Sequence, residues 1–191
     1  MASPHQSTGE TIMLFAEMPV LDYPQTILRP LRQDDIEPWF DYLTQEAVYQ
    51  HTSWNVQSPA ELEHYAWQTE RFTDSSALRF AIADRDTDRL LGTAGFHTAT
   101  PVNASSELAY DLSPAAWGRG LATAACASLL RWGHSHIGLV RIQATVLPAN
   151  QRSIQVLVRN GFEREGCCAA IARCAAHRAT SGCTAIYRRN R

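Results

Sequence analysis

A short glycine-rich segment, Trp117-Gly118-Arg119-Gly120-Leu121-Ala122, has the composition of a phosphate-binding loop. It stands between an extended segment ending near Ser113 and an apolar run with helical spacing. The first turn of a helix offers free backbone N–H groups and a positive dipole end, and glycines let an anion approach closely. The segment lacks the Gly-Lys-Ser/Thr ending of a P-loop and the third glycine of a dinucleotide fingerprint. Two interpretations stay open from these residues alone: a phosphate site, or a left-handed turn that leads into a core helix.

The elements that must position this loop follow from hydrophobic periodicity and capping residues. Turn residues Asp86-Thr87-Asp88 between two strand patterns indicate a β-hairpin, and Ser58-Pro59-Ala60-Glu61 is typical of a capping box. The order β-α-α-β-β-β-α-β-α-β predicts an α/β or α+β fold with one parallel crossover, through the helix after the loop. The predicted strands are 26–31, 78–84, 90–96, 107–113, 141–147 and one from Gly161, and the helices are about 34–48, from 58, about 120–133 and 150 to about 160.

The composition is that of an ordinary globular protein. The 191 residues are 45% hydrophobic and 19% charged, with a formal net charge of -2, and the length fits a single domain. The charge gives no indication of a polyanion-binding surface, and no apolar run approaches the roughly 20 residues that cross a bilayer. We therefore expect a cytoplasmic protein without nucleic-acid or membrane partners. Residues 1–24 show neither periodicity nor a secretion signal, so we expect a flexible leader.

With its flanking segments, the loop resembles the GNAT superfamily of acetyl-CoA-dependent N-acetyltransferases, and within it the RimJ/RimL-type enzymes that acetylate ribosomal proteins. The resemblance covers roughly Thr26 to Gly166. It implies a GNAT-like mixed central sheet of six to seven strands flanked by about four helices, as one domain over residues 25–166. The motifs that carry it are the glycine loop, Pro148-Ala149-Asn150 with Ser153, Asn160-Gly161-Phe162 before Glu165-Gly166, and the first strand at Ile27–Arg32.

The resemblance implies acetyl-CoA as co-substrate and no metal. The backbone from Arg119 to Thr123 would hold the pyrophosphate, and a backbone N–H near Leu112 would stabilise the oxyanion. Asn150 would bind the pantetheine arm or cap its helix, and one side chain can do both. The cofactor-binding residues implied are Leu112, Trp117, Gly118, Arg119, Gly120, Leu121, Ala122, Thr123 and Asn150.

Glu107 is the candidate general base, acting through water, since the resemblance places its strand beside the acetyl group. Strand alternation puts Asp111 on the same face as Glu107, which makes Asp111 the second candidate. The alternative for Glu107 is a solvated carboxylate at a strand end. Ser153 would hydrogen-bond the departing sulfur, with orientation rather than proton donation as its first role.

The acceptor is expected to be a primary amine, either a protein N-terminal α-amine or a small-molecule amine. The superfamily often binds acceptor between its first two helices, where Tyr49, His51 and Trp54 lie. Ordinary packing is the alternative for each of the three, and Asp111 completes the candidate substrate-binding set. A degenerate acyl-CoA-binding or regulatory domain with little turnover is the alternative function. The resemblance is compatible with a monomer or a homodimer.

The residues after Gly166, 167–191, lack the composition of a closing β-hairpin. They contain five Arg and no Asp, Glu, Leu, Val or Phe. We expect them to supply no closing strand and hypothesise a frameshift near Gly166, because another frame permits LLRSYRQVRSTPGDFWLYSHLPA, which resembles the family's last hairpin. A zinc site is the alternative, but C-x-x-C pairs are absent. Its candidate ligands would be Cys167, Cys168, Cys174, His177 and Cys183.

Overall fold

The computed structural model describes residues 17–52, 56–66, 77–100, 103–168 and 184–190. These residues form one seven-stranded sheet in the order β1-β2-β3-β4-β5-β7-β6, with five α-helices, which confirms the predicted mixed α/β class. The strands are β1 Thr26–Pro30, β2 Leu78–Asp84, β3 Leu90–Thr100, β4 Ser105–Leu112, β5 Arg141–Val146, β6 Glu163–Cys168 and β7 Thr184–Asn190. The helices are α1 Ile36–Leu43, α2 Glu46–Tyr49, α3 Glu63–Ala66, α4 Leu121–Trp132 and α5 Gln151–Arg159. None of the described helices is long and apolar enough to cross a membrane.

The sheet contains one parallel pair, β4 with β5, and the chain crosses between these strands through α4. This confirms the predicted crossover. The ladder joins only Ser105–Glu107 to Arg141–Gln143, although β4 continues to Leu112 and β5 to Val146. The two strands therefore separate beyond Glu107 and leave a wedge-shaped opening in the sheet.

Helices cover both faces of the sheet. On one face α1 buries Ile36, Trp39 and Leu43, whose three- and four-residue spacing gives the helix an apolar stripe. On the other face α4 and α5 pack against the larger core, with Leu129 and Leu157 fully buried. Burial of each such side chain stabilises the fold by about 1.5–3 kcal/mol. The sheet on both sides of the wedge is therefore held by packed helices.

The predicted first helix, about 34–48, is interrupted. Gln33–Asp35 forms a 3₁₀ turn, and α1 ends at Thr44, whose hydroxyl donates to Phe40 O at 3.0 Å. Such back-bonding competes with continuation of a helix. A second short helix, α2, then follows, and its end carries the chain to the mouth of the wedge.

The predicted capping box at Ser58 was wrong in its bonding. Pro59–Glu61 forms a 3₁₀ turn with Pro at its start, and Ser58 makes no side-chain cap. The Glu61 carboxylate accepts instead from the Gln57 N–H at 3.1 Å. The carboxylate thus stabilises the entry to the turn from one residue earlier than a capping box requires.

The expectation that residues 167–191 supply no closing strand was also wrong. Thr184–Asn190 forms β7, which pairs antiparallel with β5 and with β6. Ile186 and Tyr187 are the residue types that strands favour, and Tyr187 is buried in the larger core. Arg189 donates to the carbonyl of Asn160 at the end of α5, where a cation is favourable for the helix dipole. Cys174, His177 and Cys183 lie outside the described residues.

Candidate active site

The wedge between β4 and β5 opens into a cavity of about 590 Å³ on the side of the glycine loop. Its walls are the end of β4, the loop, and the first turns of α4 and α5. The implied cofactor residues that line it are Leu112, Trp117, Gly118, Gly120, Leu121, Ala122, Thr123 and Asn150. One end of the wedge thus has the length and lining of a site for an extended ligand.

The loop requires glycine for its backbone conformation. Gly118 and Gly120 have φ of +75° and +82°, in the left-handed region, and a Cβ at either would meet nothing within 4 Å. Gly120 is the N-cap of α4 and supplies no side-chain cap. The first helical bond runs from the Ala124 N–H to Gly120 O, 3.1 Å. The N–H groups of Leu121–Thr123 therefore have no helical acceptors and face open space, a geometry that suits a phosphate.

Side chains from both sides hold the loop in shape. The Trp117 indole N–H donates to Leu112 O at 2.9 Å, and the Tyr23 hydroxyl donates to Arg119 O at 2.6 Å. The Arg152 guanidinium lies over the Trp117 ring, 5.2 Å from its centroid. The phosphate cradle is therefore preorganised by protein contacts. Arg119 itself is exposed and contributes its carbonyl to this support.

The free edge of β4 carries backbone donors into the wedge. The Ser113 N–H donates to Leu91 O at 2.9 Å, which fixes the phase of the β3–β4 ladder. Because neighbouring residues of an antiparallel strand bond to opposite sides, the N–H groups of Tyr110 and Leu112 point towards β5. The β5 ladder has ended before these positions. The arrangement supports the predicted oxyanion donor near Leu112 and adds Tyr110 as a second donor.

Asn150 and Ser153 lie together at the start of α5. The Asn150 Oδ1 accepts from the Ser153 N–H at 3.1 Å, so Asn150 is the helix cap. The Tyr110 hydroxyl donates to Ser153 O at 3.2 Å. Burial raises the pKa of Tyr110, so this hydroxyl keeps its proton at neutral pH. Sequence reasoning missed Tyr110. The signal that could have found it is strand alternation, which puts Tyr110 on the other face of β4 from Glu107 and Asp111.

On the other side of the wedge is a smaller cavity of about 290 Å³. It meets the first cavity at six residues that line both, namely His51, Thr52, Tyr110, Asp111, Asn150 and Ser153. Glu107 lines this smaller cavity, and its carboxylate accepts a hydrogen bond from the Thr145 hydroxyl of β5. The carboxylate is therefore half-buried at the mouth of the wedge and is held by a hydroxyl donor rather than by a cation.

Asp111 shares the parity of Glu107 but has different surroundings. Its side chain is 6% exposed and forms an ion pair with Arg79. It also accepts from the indole of Trp39 at 3.1 Å, the hydroxyl of Thr93 at 2.9 Å and the hydroxyl of Tyr42. These donors occupy both oxygens of the carboxylate. The carboxylate thus fastens α1 to the sheet. Asp111 also lines both cavities, and its part as second base and substrate ligand stays a prediction.

The three predicted acceptor residues have different outcomes. His51 lines both cavities, and its Nδ1 is buried without a hydrogen-bond partner in the described structure. Tyr49, the last residue of α2, is not among the residues that line the two cavities. Trp54 lies outside the described residues. Of the three, His51 is the residue that the fold brings to the junction of the cavities.

Comparisons with known proteins agree with this geometry. Residues 25–163 match the acetyltransferase (GNAT) domain family. An uncharacterized N-acetyltransferase of Bacillus subtilis is 28% identical over 152 residues, 78% of this chain and 85% of the relative. The [ribosomal protein uS5]-alanine N-acetyltransferase of Escherichia coli is 32% identical over 92 residues, 48% of this chain and 47% of that enzyme.

A solved structure shows the same fold with its cofactor. The spermidine N-acetyltransferase of Vibrio cholerae, in complex with CoA and spermine, superposes with a TM-score of 0.72 at 18% identity, covering 88% of this chain and 96% of that one. The cradle of free N–H groups, the donor edge of β4 and the capped start of α5 fit acetyl-CoA, and no metal site occurs among the described residues. This chain belongs to the GNAT acetyltransferase family and is an acetyl-CoA-dependent N-acetyltransferase.

Proposed function

We propose that the acceptor is the α-amine of a protein N-terminus. The observation that carries this proposal is the charge of the smaller cavity. Among the described residues that line it, the carboxylates are Glu107 and Asp111, and Asp111 is ion-paired with Arg79. One carboxylate remains to hold an ammonium group, which matches an acceptor with a single positive charge.

A polyamine is less well matched to this site. Its several ammonium groups would need several carboxylates along the cavity, because an unpaired charge that leaves water is costly. In the described walls Arg79 and Asp111 neutralise each other, which leaves Glu107 as the carboxylate for an ammonium group. The spermidine enzyme therefore supports the fold, whereas the uS5-alanine enzyme supports the acceptor class.

The proton chemistry also favours an α-amine. Its pKa is near 8, against about 10.4 for a lysine side chain, so a modest base suffices to give the neutral nucleophile. Glu107 faces the amine and takes the proton, directly or through water. The amine then attacks the thioester carbon, and the N–H groups of Tyr110 and Leu112 stabilise the developing oxyanion.

Collapse of the tetrahedral intermediate breaks the carbon–sulfur bond, and the electron pair goes to sulfur. The thiolate takes the second proton of the amine nitrogen, while the first leaves to solvent. The hydroxyl of Ser153 lies in the first turn of α5, where it can donate to the sulfur, while the Tyr110 hydroxyl holds the Ser153 carbonyl. Ser153 therefore orients the thiol end, and we assign it no proton of its own.

The test is an acceptor panel with acetyl-CoA, read by mass spectrometry of the product. The panel contains a peptide with a free α-amine and no lysine, the same peptide with a blocked α-amine and one lysine, and spermidine. We expect turnover of the first peptide. Thiol release needs a blank without acceptor, because the chain contains 5 Cys.

Preferred acetylation of spermidine or of the lysine peptide would refute the proposed acceptor. CoA binding without turnover of any amine would favour the alternative of a degenerate acyl-CoA-binding domain. A titration of CoA binding by calorimetry, run beside the panel, distinguishes these outcomes.

A further inference from the structure

A histidine that sequence reasoning passed over lies beside the candidate base. His97 of β3 is the direct cross-strand partner of Glu107 of β4, and both line the smaller cavity. Directly paired residues on one sheet face hold their Cβ atoms about 4.5–5.5 Å apart, within reach of a carboxylate and an imidazole. The half-buried imidazole thus borders the carboxylate on the side of the sheet, while Thr145 binds it from β5.

We propose that His97 is the proton relay of Glu107: the proton that Glu107 takes from the acceptor ammonium passes to the imidazole and from there to solvent. This inference rests on the proposed amine-acceptor function. His97 acts through Glu107 and is therefore a positioning and relay residue.

The relay solves a mismatch of proton affinities. Carboxyl groups in general bind a proton more weakly than imidazoles, and both bind it more weakly than an α-amine. An imidazole is ordinarily a closer match to the amine than a carboxyl group, and proton transfer is most efficient between groups of matched affinity. Burial of His97 reduces this advantage by lowering its pKa, and the Glu107 carboxylate restores part of it. The carboxylate beside it would stabilise the imidazolium while the amine attacks.

The environment keeps this imidazole neutral between turnovers. Burial lowers the pKa of His97 from its ordinary value, Glu107 acts in the opposite direction, and Arg79 lowers it further. His97 can therefore receive a proton at neutral pH. The other titratable or charged side chains around the same cavity are Arg79 of β2, Tyr110 and Asp111 of β4, Tyr65 of α3 and His51 after α2.

The proton balance of the cycle is closed. The ammonium gives one proton to the Glu107–His97 pair, the nitrogen–carbon bond forms and the carbon–sulfur bond breaks. Of the two protons left on nitrogen, one goes to the thiolate and one stays on the amide, and the imidazolium releases its proton to solvent. The sum is ammonium plus acetyl-CoA giving amide, free CoA thiol and one proton.

The experiment compares pH profiles of kcat/KM for the wild type and His97→Asn, with the best acceptor of the panel. For the wild type we expect kcat/KM to fall on the acid side of the profile, with a midpoint below the ordinary histidine pKa. For His97→Asn we expect roughly 10²-fold lower turnover at pH 7, the size of a general acid–base contribution, and loss of that limb. His136→Asn removes an exposed histidine that follows α4, pairs with Glu17 and lines neither cavity. It is the control that should leave turnover and pH profile unchanged.

A second measurement needs neither an acceptor nor a folded His97 variant. Proton NMR follows the imidazole titration of His97 in the wild type and in Glu107→Gln. Removal of the carboxylate should move the midpoint further down, since Glu107 raises the pKa of His97. An unchanged midpoint, or a His97→Asn profile that retains the wild-type limb, would overturn the relay. If no α-amine is acetylated, the proposed acceptor is wrong, and the NMR result still decides whether the pair exists.

Discussion

The two ends of the cleft are built from different parts of the chain. The cofactor end uses backbone groups: the free N–H groups of Leu121–Thr123 and the donor edge of β4. The acceptor end uses side chains from separate elements, namely His51 after α2, Tyr65 of α3, His97 of β3 and Glu107 of β4. Backbone donors tolerate sequence change, whereas a side-chain pocket changes with every substitution. The first end therefore defines the reaction and the second defines the acceptor.

Glu107→Gln is the variant with the largest expected effect on the difference between the cofactor end and the acceptor end. Loss of the base should lower kcat about 10²- to 10⁴-fold, while the Kd for CoA stays unchanged because Glu107 does not line the cofactor cavity. Steady-state kinetics and calorimetry measure the two effects. Glu37→Gln, on the exposed side of α1, is the matched control. Equal losses of kcat and CoA affinity would contradict the separation of the two ends.

Asp111→Asn tests whether Asp111, which shares a face of β4 with Glu107, also acts as a base. Breaking a buried ion pair by neutralising one partner costs about 3–5 kcal/mol of stability, because the other charge stays buried. The matched control is Asp35→Asn, which breaks the similarly buried pair with Arg29. We expect Asp111→Asn to lower the urea midpoint by more than Asp35→Asn, because Arg29 keeps a second carboxylate partner in Asp88. Both variants should retain kcat where they are folded. A loss of kcat confined to folded Asp111→Asn would support Asp111 as a base.

Gly120→Ala tests the cofactor end. A left-handed conformation costs a non-glycine residue roughly 1–2 kcal/mol, and the new Cβ would enter the phosphate cradle. We expect KM for acetyl-CoA to rise about tenfold with little change in kcat, since 1.4 kcal/mol corresponds to a factor of ten. Gly138→Ala places the same strain at φ +80° outside the cleft. It should lose similar stability without a change in KM, and equal KM effects would contradict a local role.

The features on which the predicted cofactor end depends can be read from the sequence for a physical reason. Glycines with positive φ, a helix cap at Asn150 and a parallel crossover are local features, so their residues lie close together in the chain. The acceptor end depends on strand pairing. Strand alternation put Asp111 on the same face as Glu107. The carboxylate of Asp111, however, binds Arg79 and Trp39, which come from elements distant in the chain. The pairing of His97 with Glu107 likewise needs the strand register, which a pattern does not supply.

The closing strand shows the same limit. The composition of residues 167–191 predicted no strand, yet β7 forms because β5 and β6 offer it ladders on both sides. Tertiary pairing here overrides a weak local preference. The frameshift hypothesis stays a prediction, and sequencing of the coding DNA tests it. Codons after Gly166 that spell no hairpin-like strand in the alternative frame would refute it.

The smallest expected effect separates the two roles assigned to Asn150. Asn150→Ala removes the cap of α5 and should cost about 1 kcal/mol of stability, whereas Asn150→Ser keeps a capping oxygen for the Ser153 N–H. If the amide also binds the pantetheine arm, Asn150→Ser retains the wild-type unfolding midpoint but raises KM for acetyl-CoA severalfold. If the amide is a cap alone, Asn150→Ser matches the wild type in both measurements. Because Asn150 lines both cavities, this pair of variants shows whether a side chain contributes to a cofactor end otherwise built from backbone groups.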